Sequence, residues 1–148
     1  MNDQSALLLF DGTCGFCAQS VQFVLRRERR RRTLRFASLQ SNAGSDVRTR
    51  HPELDQVDSV IWVEPGDGAA GETVYVRSAA VLRVLHYLGG IWTVLAWLAV
   101  LVPRFIRDAV YDLVARNRQR LIRGGMACLL PTPEQRTRFI DWGTESAA

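Results

Sequence analysis

The residues able to do chemistry in this 148-residue chain are concentrated in one heptapeptide, Asp11-Gly12-Thr13-Cys14-Gly15-Phe16-Cys17. Two thiols three residues apart at the start of a helix share one turn and can close a small disulfide. The free amides and the dipole at a helix N-terminus stabilise an anion, so the Cys14 thiolate is favoured and its pKa is expected to fall below the free value of ~8.5. Cys17, a turn further in, is then the resolving thiol. Asp11 closes a buried strand, where partial desolvation is expected to raise its pKa and let it exchange a proton with Cys17.

These groups suffice for a cycle in which Cys14 attacks a substrate disulfide and Cys17 then attacks Cys14 to release the reduced product. The cycle needs no bound cofactor. It needs a disulfide-containing protein or small molecule as substrate, and a cellular dithiol to restore the thiols. A zinc site is the competing chemistry, since Cys128 with His51 or His86 would complete a Cys3His set. The flanking strand and long helix, and the isolation of Cys128, argue for redox instead, and no metal site is assigned. Phe10-Asp11-Gly12-Thr13 also looks like the first motif of haloacid-dehalogenase-type phosphatases, but position 9 is Leu where that chemistry needs a nucleophilic Asp.

The elements that must position the thiols follow from periodicity. Ala6 to Phe10 is a continuous apolar run typical of a strand buried on both faces. Asp11-Gly12-Thr13 is a turn, Thr13 caps the helix that begins with Cys14, and Cys17, Val21, Val24 and Leu25 form its core stripe. Thr33 to Leu39 alternates as a second strand, with Leu34, Phe36, Ala37 and Leu39 inward. A short polar helix fits Ser41 to His51, stopped by Pro52. Val57 to Val63 and Thr73 to Val76 form a hairpin around Glu64-Pro65-Gly66-Asp67-Gly68. Ser78 caps a helix carrying Val81, Leu82, Leu85 and Leu88, ended by Gly89-Gly90. The order is βαβαββα.

Two helices follow, about Ile91 to Val102 and about Arg104 to Arg123, divided by Pro103. In the second, Ile106, Val110, Leu113, Asn117 and Leu121 share one stripe, so a buried amide is expected to interrupt an apolar face and to need partners. From Gly124 the chain is mostly loop, with a helical turn around Arg136 to Trp142. The expected organisation is one domain over 1–148, with a core over about 5–90 and a helical extension over about 91–148.

Composition narrows the remaining classes. A hydrophobic share of 47% with 23% charged residues excludes disorder of the whole chain, and three cysteines cannot staple a disulfide scaffold. All 19 basic residues are Arg, and seven of them with one Glu lie in residues 26–35, which turns an otherwise acidic chain to a net +4. Without interleaved aromatics or a recognition motif, this run reads as a solvated helix end and not as a nucleic-acid site. Met1 to Phe10 lacks the basic start of a secretory signal, so a reducing, cytoplasmic location is expected. The twelve residues Ile91 to Val102 fall short of the ~20 that span a bilayer. A core helix or dimer interface explains them best, and a peripheral membrane or partner contact through 91–107 stays open.

The strand followed by Phe10-Asp11-Gly12-X-Cys14-X-X-Cys17 resembles the DCC family of thiol-disulfide oxidoreductases. The resemblance continues through Leu39-Gln40-Ser41, Asp58-Ser59, Tyr75, Arg77-Ser78-Ala79, Tyr111, Ala115 and Asn117-Arg118 to Cys128. It implies a thioredoxin-like fold with Cys14 and Cys17 as the redox pair. Thioredoxin itself sets a cis-proline opposite its thiols where this chain has Asp58-Ser59, so Ser59 is a candidate hydrogen-bond donor to Cys14. Gly15, Phe16, Thr13, Asp58 and Ser59 are thus candidate supporting residues, and Asn117, Arg118 and Cys128 stand in second rank. His51 and His86 read as ordinary. A protein-disulfide reductase is the leading reading; a noncatalytic thioredoxin-like module or a zinc-binding protein is the alternative.

Overall fold

In the computed structural model the described residues are 5–28, 33–66, 71–121 and 132–141. The N-terminal apolar run forms β1 (Leu7–Phe10) and leads through the cysteine loop into α1 (Gly15–Arg27). β2 (Arg35–Ser38), α2 (Asn42–Arg50) and a single 3-10 turn at Pro52–Leu54 follow. Then come β3 (Ile61–Pro65), β4 (Glu72–Val76), α3 (Arg77–Leu88), α4 (Ile91–Val100), α5 (Arg104–Leu121) and the short α6 (Pro133–Arg136).

The four strands form one mixed sheet in the order β2-β1-β3-β4. β1 and β2 pair in parallel, as a helical crossover through α1 requires, with Leu8 opposite Phe36. β3 runs antiparallel to both β1 and β4. Alternation then sorts the side chains. Leu8, Phe10, Phe36 and Trp62 pack with Cys17, Val21 and Val24 of α1 and Ala80 of α3 on one face. Leu9, Ala37, Ile61 and Val63 pack with Val47 of α2 and Leu54 on the other. This α/β arrangement is thioredoxin-like, in the expected βαβαββα order. Beyond α6, Arg138 to Ile140 hydrogen-bond along β2, and Phe139 stacks on Phe36 at 5.3 Å.

Several local expectations change. The residue at the head of α1 is Cys14 and not Thr13, whose hydroxyl donates to Asp11 Oδ1 at 2.7 Å, and no side chain caps the helix. Ser78 is likewise no cap; α3 begins at Arg77 and the Ser78 hydroxyl donates to Asp108 of α5. Residues 57–60 are not strand, and β3 starts only at Ile61. Ser41 does cap α2, accepting from the Gly44 amide at 3.2 Å, and Gly89, at φ 70°, takes the left-handed conformation that ends α3.

The largest correction concerns the extension. Only Ala96 of α4 is buried, so α4 is not a core helix, and Ile106, Val110 and Leu113 of α5 face outward. α5 is held instead by polar anchors on its opposite side: Asp108 to Ser78, Tyr111 to the amide of Val60, and Arg118 to Asp11. Their spacing of three and seven residues lies on one helical face. Asn117 therefore interrupts no buried face, and its amide donates to Leu113 O on its own helix. No described helix is long and apolar enough to cross a membrane.

Candidate functional site

The site is built where β1 ends. The Asp11 carboxylate accepts the Thr13 amide at 3.0 Å, the Thr13 hydroxyl, and Gln40 Nε2 at 3.0 Å, all at Oδ1, while Oδ2 lies 3.5 Å from Arg118 Nη2. Burial pushes this carboxyl up, but the Thr13 and Gln40 hydrogen bonds and the Arg118 charge outweigh it, and its pKa falls below 3.8. The expected upward shift is thus overturned. Gly12 donates its amide to Gln40 Oε1 at 3.1 Å, and a Cβ there would fall 2.7 Å from Ser38 Oγ, so only glycine fits without a shift.

The loop closes with the Cys14 amide on Asp11 O at 3.2 Å, which sets Cys14 half-buried in an extended conformation at the helix head. Gly15 and Phe16 fill the first two helical positions, and Cys17 occupies the third, buried. Both cysteines are free thiols and within hydrogen-bond reach of each other. The Cys17 thiol is pushed up to about 12, first by burial and then by Cys14 beside it. Asp11, through its backbone, and Arg118 pull the other way. The inner thiol therefore holds its proton more tightly than a free cysteine does.

From α5, Arg118 links both sides of the loop: besides Asp11, it donates to the Asp58 carbonyl at 3.3 Å. The Asp58 carboxylate itself is exposed, with Arg48 Nη2 at 3.9 Å. Ser59 has a buried hydroxyl that makes no hydrogen bond to Cys14 and lies beside Tyr111. The phenol of Tyr111 is pushed up by burial, and it feels the charges of Cys17 and Arg118. Phe16, Cys17, Val60, Tyr111 and Arg118 share the wall of an apolar cavity of about 830 Å³ between α1, α3, α4 and α5.

The structure thus gathers Asp11, Thr13, Cys14, Cys17 and Arg118, adds the Asp58 carbonyl in place of its side chain, and leaves Asn117 out. Cys128 lies outside the described residues. His51 is engaged by Glu53 and Glu72, and His86 by the Leu82 carbonyl. Among the described residues no three His, Cys, Asp or Glu side chains cluster as a metal site. Gln40 and Tyr111 are the members to which the sequence reading gave no role. The signal for Tyr111 was its place seven residues before Arg118, two turns away on the same face.

A dithiol at the head of the first helix, on a sheet of this topology, defines a thioredoxin-like dithiol protein. The chain belongs to the DCC1-like thiol-disulfide oxidoreductase family, whose model matches residues 8–124. It is 34% identical over 135 residues to the uncharacterized protein YuxK of Bacillus subtilis, covering 90% of this chain and 93% of that one. A chloroplastic DCC family protein of Arabidopsis thaliana is 35% identical over 129 residues, covering 86% of this chain and 71% of that one. No solved structure matches the chain. The family supports a redox role.

Proposed function

We propose that the chain reduces disulfides, with Cys14 as nucleophile and Cys17 as resolving thiol. The observation that carries this reading is the placement of Cys14 at the head of α1 with the buried Cys17 one turn inside and in contact with it. The Cys14 thiolate attacks one sulfur of the substrate disulfide; the S–S bond breaks, and the released sulfur leaves as a thiolate that takes a proton from water. In the mixed disulfide Cys14 carries no charge. The part of the upward push on Cys17 that came from Cys14 is then gone, burial remains, and the Asp11 backbone and Arg118 still favour the Cys17 thiolate. Cys17 gives its proton to water and attacks Cys14 Sγ; the Cys14–Cys17 disulfide forms as the mixed S–S bond breaks, and the second substrate sulfur departs as a thiolate that is protonated from water. Two electrons pass from the protein dithiol to the substrate, and a cellular dithiol returns them.

Asp11 acts here as a positioning residue. Its ionised carboxylate holds Arg118 against the loop, so Arg118 can lower the cost of the Cys17 thiolate. Gly15 and Phe16, both half-buried, follow Cys14 at the helix head, and Phe16 offers apolar contact to a substrate.

Turnover of a disulfide protein such as insulin with a dithiol reductant is the test. Cys14→Ser is expected to fall to the rate of reductant alone, and Cys17→Ser to accumulate a covalent mixed disulfide visible by mass spectrometry. Retained turnover in Cys14→Ser, or stoichiometric zinc with both thiols protected from alkylation, would refute the proposal. Asp11→Asn is expected to slow resolution roughly tenfold, about one pKa unit of lost thiolate stabilisation, with the first attack nearly unchanged. Equal loss in both steps would remove the positioning role.

A further inference from the structure

α4 is the most apolar helix among the described residues, and only Ala96 of it is buried. Ile91, Leu95, Trp97, Leu98, Val100 and Leu101 are all exposed, Leu101 at 80%. At 3.6 residues per turn these positions sweep an arc of about 220° around the helix axis. A helix seated on a protein partner needs an apolar stripe only roughly 100° wide. A surface that is apolar over more than half its circumference suits a medium that surrounds it.

The charge distribution names that medium. Residues 73–107 contain no Asp or Glu and four Arg, of which Arg77, Arg83 and Arg104 pair with Asp112, Glu64 and Asp108, while α5 adds Arg116 and Arg120 beyond them. Along α5 the exposed Phe105, Ile106, Val110 and Leu113, which follow the exposed Arg104, give way to the exposed Arg116 and Arg120. Trp92 meets Phe23 edge-on at 5.2 Å, with the Arg27 guanidinium 5.3 Å from the Phe23 ring and 5.7 Å from the Trp92 ring. Aromatic rings paired with a cation at the start of α4, the end away from the α4–α5 corner, are the chemistry of an interface with anionic headgroups. Ten residues make α4 about 15 Å long, half of a ~30 Å hydrocarbon core.

We propose that the corner between α4 and α5 docks the protein on an anionic lipid bilayer, its apolar tip bedded in one leaflet and Arg116 and Arg120 facing the headgroups. Val102, Ile106, Val110 and Val114 belong both to the α4–α5 surface and to the wall of the cavity that reaches Cys17, so the docked side lies next to the thiols.

The full chain is mixed with phosphatidylcholine vesicles with and without phosphatidylglycerol, and followed by co-sedimentation and tryptophan emission. Binding with a blue shift is expected on the anionic vesicles, at least ~tenfold weaker on neutral ones. The double variant Leu98→Asp with Leu101→Asp is expected to lose more than ~tenfold in partition while keeping its far-ultraviolet circular dichroism, since both side chains are already exposed. Failure of the wild-type chain to bind anionic vesicles overturns the proposal, as does unchanged binding by the variant. A wild-type dimer in sedimentation equilibrium that the variant dissolves, without vesicle binding, would assign the surface to a second copy and overturn it equally.

Discussion

The sheet and the α4–α5 pair are made from the same aliphatic and aromatic residue types, yet they place them oppositely. Leu9, Leu34, Phe36 and Ile61 are completely enclosed, whereas Ile91, Leu101 and Phe105 are 70%, 80% and 74% exposed. Around the sheet, α1, α3 and α2 cover both faces. α4 and α5 have no such cover, and α5 is fixed by Asp108, Tyr111 and Arg118 on its polar side. Hydrophobic content therefore does not decide burial in this chain; the position of the anchoring polar groups does. The thiol pair lies at the boundary, with Cys17 in the enclosed core and Arg118 reaching it from the second region.

The contrast breaks first at its enclosed end. Phe36→Ala removes a ring stacked on Phe139 and packed against both α1 and Leu34, and it should cost about 3–5 kcal/mol, read as a lower urea midpoint at unchanged slope. A cost below 1 kcal/mol would mean that the sheet is no better packed than α4. Next is the buried pair between Glu28 and Arg138. Arg138 Nη2 is 2.9 Å from Glu28 Oε2, Nη1 contacts Oε1, and Tyr87 donates to the same carboxylate at 2.9 Å. Glu28→Gln would leave the Arg138 charge enclosed without a counter-ion, and roughly 3 kcal/mol of stability should be lost. A double variant replacing Arg138 as well should recover part of it.

How far the sequence carries to this picture differs between the same two regions. The continuous apolar run marked β1, alternation marked β2 and the Cys17, Val21, Val24, Leu25 stripe marked α1, because there the apolar residues do point inward, while the strand expected from Val57 begins only at Ile61. The same rule applied to Ile106, Val110 and Leu113 pointed α5 the wrong way, since its contacts are polar and long-range: Ser78 and Asp108 are 30 residues apart, Val60 and Tyr111 51. The thiols were legible from spacing alone. The state of Asp11 was not, because burial was visible in the sequence but Gln40, 29 residues on, was not.

That ionised Asp11 gives the comparison a pH signature. Its folded pKa is below the ordinary 3.8, so its contribution to stability is complete at neutral pH and is lost as pH falls past that value toward the folded one. The sign follows because the unfolded chain binds the proton first. Acid titration of stability should therefore show a steeper fall below pH 4 in the wild-type chain than in Asp11→Asn, and identical slopes would mean that Thr13, Gln40 and Arg118 do not hold the charge in solution.

The smallest effect is the sharpest test of the second region. Leu101→Ser removes a large aliphatic side chain, a change that in the sheet would cost several kcal/mol. At a site already in water, no transfer energy is lost and no cavity opens, so the folding free energy should move by no more than ~0.5 kcal/mol. A larger loss, measured in dilute protein without lipid, would show that α4 packs against something in the folded chain. A null result beside an undiminished Phe36→Ala penalty would establish that the fold is complete without this helix surface, leaving its apolar character to be explained by an external contact.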